Sequence, residues 1–234
     1  MDIPERENTF AKMNVIVSAT PIKPTVPSTP THADLITQAF EASRMSLRWV
    51  LGRLGLLQQT IRDADRLHGK AQIMALAALG MNFSRDIVVL SDKLQTSRDP
   101  LSSEFQQALQ KALQLIRRNL CEEGSIIEEG TTGRCDPKSW GGAMPFAAAT
   151  PWDPEPRVSV CAAWFEMNED LHRDVLTHEF FHLVGLIDKP VIANTSDALD
   201  DADTMAQVVA YIHDRRRWED SSGLSRPTII YPAP

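Results

Sequence analysis

The chain has 234 residues, 43% of them hydrophobic and 24% charged, which excludes collagen-like, wholly disordered and disulfide-scaffold classes and leaves ample length for one real core. Lys and Arg number 24 against 31 Asp and Glu, a net charge of −7, so nothing prepares the chain for a polyanion and no nucleic-acid partner is expected. The longest nearly apolar run, Ile73 to Met81, is under half of the roughly 20 residues that cross a bilayer, so no transmembrane segment is expected; Asp2, Glu5 and Glu7 argue against a standard secretory signal.

In chain order, residues 1–32 read as an extended Pro/Thr-rich leader, punctuated by Pro4, Pro21, Pro24, Pro27 and Pro30. A domain over residues 33–234 follows. Its helical part, 33–120, opens with Leu-, Ala- and Met-rich stacked helices up to about Leu94, broken near Gly69. Asp99 and Pro100 then look like a helix cap and first position, and Phe105, Leu109, Ala112, Leu113, Ile116 and Leu120 recur at helical spacing. Residues 121–218 form the second part. Its glycine- and proline-rich opening, Cys121 to Pro156, predicts loops with a short strand at Ala143 to Ala149, and the alternating Arg157 to Phe165 predicts a strand at a sheet edge. A helix from Asp170 to Val184, a loop to Leu199 and a last helix from Asp200 to Trp218 complete the chain. That last helix should bury Met205, Val208, Val209 and Ile212.

The segment Thr177 to Asp188, THEFFHLVGLID, contains HExxH. On a helix, positions i and i+4 share a face, so His178 and His182 can offer two imidazoles to one metal ion. Glu179 is rotated by about 100° from His178, which suits it to a metal's water rather than to the metal. Zinc is the expected cofactor: three protein ligands leave a fourth position for water, whose proton a carboxylate can take. Phe180, Phe181, Leu183 and Val184 make this helix too apolar for a surface element, so the two histidines should be partly buried and need partners. Gly185 is spaced to end the helix in a positive-φ turn and to send the chain back with Asp188 as third ligand. Asp197 is the alternative third ligand. Asp200 and Asp203 read as helix-start acids, His172 faces away from the pair, and His213 stands near a helix end.

Three cysteines, Cys121, Cys135 and Cys161, allow at most one internal disulfide, and buried reduced thiols are the plain reading.

These features resemble the deuterolysin or aspzincin metalloendopeptidases. The resemblance runs through Gly133-Arg134-Cys135-Asp136, Ala143 to Ala149, Val158 to Phe165 with Cys161, the His178 to His182 helix, and Asp201-Ala202-Asp203-Thr204, about two fifths of the chain. It implies an α+β, zincin-like fold, with helices beside a small, mostly antiparallel sheet and the HExxH helix under an edge strand. It also implies a zinc endopeptidase that cleaves protein or peptide, with His178, His182 and an Asp as ligands and Glu179 as general base. A Cys135 to Cys161 disulfide fits the same pattern. The sequence departs from the family around Asp188, where Leu186-Ile187 precedes and Pro190-Val191-Ile192 follows in place of Gly-Thr and Tyr-Gly. With only Tyr211 and Tyr231 in the chain, oxyanion stabilisation falls to Tyr211, His213, an arginine or the metal, and Tyr211 is taken as the candidate. The Met205 position and the HExxHxxGxxD spacing also resemble metzincins. A peptidoglycan-peptide hydrolase and a degenerate zincin acting as a binding module are the alternatives. The leader joined to a protease-like domain suggests an effector or toxin with a secretion-machine or immunity partner; a cytoplasmic protease is the plainer reading.

Overall fold

The computed structural model describes residues 15–16, 30–121, 126–130, 135–136, 145–150 and 156–214. Most of the predicted leader, Gly133, Arg134, residues 143–144, Arg215 to Trp218 and Tyr231 lie outside the described residues.

Helix α1, His32–Asp65, begins at a capping box: the Thr31 hydroxyl accepts from the Asp34 amide while the Asp34 carboxylate accepts from the Thr31 amide. Its buried stripe, Leu47, Val50, Leu54, Leu57 and Ile61, repeats at three and four residues. The break falls at residues 66–68, and Gly69, with φ +59°, starts α2, Gly69–Lys93. By length and composition α2 is apolar enough to cross a membrane, with mean hydropathy 1.6 over 18 residues, one third of them buried. An averaged window reaches past the interruptions that end an uninterrupted run, which is why the Ile73 to Met81 run understates this helix. Leu79, Phe83, Ile87 and Leu90 bury its inner face.

Helix α3, Ser103–Cys121, buries Phe105, Leu109, Ala112, Leu113 and Ile116 as the periodicity predicts. Its start differs from expectation. Asp99 accepts from the Leu101 amide and shapes a preceding turn, while the Ser102 hydroxyl accepts from the Phe105 amide and stands at the helix entrance.

The sheet comprises β1 (Val15–Ile16), β2 (Ile126–Glu129), β3 (Ala147–Thr150) and β4 (Arg157–Val160), in the order β1-β2-β4-β3. It corrects the expectation of a mostly antiparallel sheet. β1 and β2, and β2 and β4, pair in parallel, and only β3 with β4 is antiparallel. The unpredicted β2 lies beside β4, so β4 is an interior strand and β3 takes the edge. The predicted Arg157 to Phe165 strand stops early: Ala162–Glu166 is a 3₁₀ turn, whose Trp164 is fully buried. Cys135 and Cys161 form a disulfide and Cys121 is exposed, so the reading of three buried thiols is replaced. Gly130 is required beside this bridge, because a Cβ there would meet Cys135 Sγ at 2.6 Å.

Helix α4, Glu169–Leu183, lies between two apolar clusters. Val175, Leu176 and Phe180 join Ile36, Val158 and Trp164 on the sheet side. Phe181 and Val184 join the larger cluster from α1, α2 and α3. Burial on both sides encloses every residue from Val175 to Phe181, the polar Thr177, His178 and Glu179 included. The predicted loop up to Leu199 contains a short helix, α5, Thr195–Asp200, and the last helix, α6, Ala202–His213, starts two residues later than the expected Asp200. They separate at Asp201, whose extended backbone (φ −99°, ψ 123°) caps α6. Met205, Val208, Val209 and Ile212 are buried as expected. Packed helices with a small mixed sheet make the chain α+β.

Candidate metal centre

Asn168 starts α4 by accepting from the Leu171 amide at 3.0 Å, and two turns later the helix presents His178 and His182 on one face. Their Nε2 atoms stand 3.0 Å apart. Asp188 Oδ1 lies 3.3 Å from His178 Nε2 and 3.4 Å from His182 Nε2. Ligands at 2.0–2.2 Å from a tetrahedral zinc are separated by about 3.3–3.6 Å, which both Asp188 edges match while the histidine pair stands slightly closer, so the donor set is right and the size near that of the ion's site. Among the described residues, His178, His182 and Asp188 form the group of three that can hold a metal.

The turn that delivers Asp188 depends on Gly185. With φ +97° it ends α4 in a Schellman motif: the Gly185 amide donates to the His182 carbonyl at 2.9 Å, and the Leu186 amide to the Phe181 carbonyl at 3.1 Å. The same turn brings the Leu186 carbonyl 2.9 Å from His182 Nδ1. With the Nδ1 proton donated there, the Nε2 lone pair is directed at the metal position.

Glu179 is 2% exposed and His178 also 2%, and the Ala149 amide of edge strand β3 donates to the Glu179 carboxylate. Burial raises the Glu179 carboxyl, and the neighbouring His182 charge offsets part of this, leaving it at about 7. Burial and the charge of His182 push the His178 imidazole down to about 3. Burial also pulls His182 down, but its hydrogen bond to Asp188 and the charges of Glu179 and Asp188 outweigh it and hold His182 up at about 9. The Asp188 carboxyl is raised by burial but lowered overall by the His182 hydrogen bond and both histidine charges.

The alternative ligand, Asp197, is placed elsewhere. It accepts from Lys189 Nζ at 2.7 Å and from Asn194 Nδ2 at 3.0 Å, and its amide donates to the capping Asn194. Asp200 pairs with Lys111, and Asp203 accepts from Gln207. His172 is buried against Trp164, stacked at 4.0 Å with Nε2 on the Trp164 carbonyl, the outward role expected of it. His213 meets Trp49 edge-on at 5.7 Å. Tyr211, the oxyanion candidate, is 5% exposed in the main core that also holds Phe181 and Leu186, with Lys93 Nζ 4.7 Å from its ring centre. Two residues to which the sequence reading gives no site role matter here, Ala149 and Asp201. No local signal marks Ala149, because a backbone amide is reached by pairing and not by side-chain type. Asp201 carried one signal, its place before the α6 periodicity as a cap. No family model, curated protein or solved structure matches the chain.

Proposed function

We propose that the chain is a zinc-dependent peptide-bond hydrolase with a zincin-like arrangement, in which His178, His182 and Asp188 hold the ion and Glu179 is the general base. One observation carries this reading: three ligand atoms of the zinc type converge to 3.0–3.4 Å, with a buried carboxylate next in sequence to the first of them. Bound there, zinc supplies Lewis acidity and lowers the pKa of a water toward about 7. Glu179, held by the Ala149 amide, would accept a proton from that water and return it to a leaving amine. The Leu186 carbonyl keeps His182 in the tautomer that ligates. β3 pairs with β4 on one side, and an extended peptide can add to the other edge of such a strand.

The test is a pair of variants of zinc-loaded protein. Glu179→Gln should keep stoichiometric zinc and lose hydrolysis of casein, whereas His178→Ala should lose both. Full peptidase activity in Glu179→Gln refutes the mechanism, and fragments released from purified peptidoglycan but not from casein redirect the substrate to cell-wall peptide. The absence of a tyrosine just after Asp188, where Pro190-Val191-Ile192 stands, favours a second reading, a zinc-holding binding module. Bound zinc without cleavage of any member of a peptide library selects it.

A further inference from the structure

We propose that Asp201 is the positioning residue of the metal centre, fixing Asp188 against the two histidines by tying its loop to the start of α6. This role rests on reading the triangle as a metal site.

Asp201 is 3% exposed and uses its two carboxylate oxygens for different tasks. Oδ2 accepts from the Thr204 amide at 2.7 Å and caps α6. Oδ1 accepts from the Lys189 amide at 2.8 Å, immediately after Asp188. On the other side of Asp188, the Ile187 amide donates to the Asp200 carbonyl at 3.0 Å and the Ile187 carbonyl accepts from the Ala202 amide at 2.9 Å. The ligand is therefore gripped on both flanks by one short segment, 200–202. Without it, Asp188 sits on a surface turn whose neighbours Ile187 and Val191 are 58% and 71% exposed, with little packing to hold a carboxylate in place. The Ile187 bonds use backbone atoms and survive any side-chain change. The Lys189 bond depends on the second oxygen of Asp201. A helix cap needs one acceptor, so the second is the part that capping does not explain.

Outer groups that orient a ligand typically change metal affinity 10–100-fold when removed. Asp201→Ser isolates this contribution. Serine caps α6 comparably through its hydroxyl but offers no second carboxylate oxygen to Lys189. The full chain and this variant are compared by Zn²⁺ affinity from chelator competition, metal-free melting temperature, and hydrogen exchange at the Lys189 amide. Thr31→Ala, which removes the distant α1 cap, serves as a purely structural control. The expected result is faster Lys189 exchange and a 10–100-fold weaker Kd for Zn²⁺ in Asp201→Ser, with its melting temperature close to the parent. The control should melt lower with unchanged Kd. Parent-like Zn²⁺ affinity in Asp201→Ser, or unaltered Lys189 exchange, overturns the role of Asp201 while leaving the metal centre standing. A parent chain that binds no Zn²⁺ overturns the metal centre and this role with it.

Discussion

Zinc should have to displace a proton to enter this site at neutral pH. In the metal-free protein the Asp188 hydrogen bond and the charges of Glu179 and Asp188 overcome burial and hold His182 at about 9. Its Nε2 is one of the three proposed ligand atoms, and only a neutral imidazole can ligate. At pH 7, two units below that value, about 99% of His182 carries the proton, so apparent zinc affinity is about 100-fold below its high-pH limit, equivalent to about 2.7 kcal/mol. Affinity should rise at least about tenfold per pH unit from pH 6 to 8, more steeply at the acid end where Glu179 is also protonated. Glu179, at about 7, should ionise more fully once a dication stands beside it, so release at pH 7 should total about one to one and a half protons. Near pH 9 release should fall to about half a proton. Calorimetric titration of zinc in buffers of different protonation enthalpy measures this number directly. Asp188→Asn removes the hydrogen-bonded charge that does most to hold His182 up, leaving Glu179 and the Leu186 carbonyl against burial, and should cut proton release at pH 7 even as affinity drops. A zinc Kd independent of pH from 6 to 8, with no proton released, would refute the electrostatic account. The same raised His182 stabilises the metal-free fold below about pH 6.5, and that contribution is lost as pH climbs through about 9, so chelator-treated protein should melt lower at pH 9 than at pH 7.

Three further outcomes follow from the geometry. Opening the Cys135–Cys161 bridge, which spans 26 residues, by the double serine change should cost about 3.5 kcal/mol in a urea titration; a loss under about 1 kcal/mol would show that the denatured chain is not restrained by it. Gly185→Ala forces an alanine to φ +97°, which should cost about 1–2 kcal/mol and weaken zinc binding by disturbing the Leu186 carbonyl; unchanged melting and affinity would disprove the need for that turn. Tyr211→Phe should leave peptide hydrolysis within about tenfold of the parent, since the ring lies in the core; a loss of 10²–10³-fold, the size expected of an oxyanion donor, would place its hydroxyl at the reacting carbonyl.

Much of the site was readable before any fold was known, because its signals are local. The four-residue spacing of His178 and His182 puts both on one helical face whatever surrounds them. Three residues further on, Gly185 marks the one position where a left-handed turn can return the chain, and Asp188 follows from it. The same local logic located α3 and the buried stripe of α6. Less was readable in the sheet. Residues 126–129 carry too short a pattern to stand out as a strand, and with β2 unrecognised, β4 passed for an edge. The six-residue α5 is too short to show a helical period inside the expected loop, and Asp200, Asp201 and Asp203 all suit a helix start, so nothing in their order shows which one caps α6.

The sequence by itself determined the helix that carries the histidines, the glycine turn behind it and the chemical type of the ligands, since each depends on backbone preference and spacing over a few residues. Tertiary structure decided which aspartate closes the triangle, which strand lies over Glu179, and which segment grips Asp188. Those choices depend on contacts between residues far apart in the chain: Ala149 with Glu179, Cys135 with Cys161, and Asp201 with Lys189. They are set by how the two cores trap α4 between them, and no local pattern records that packing.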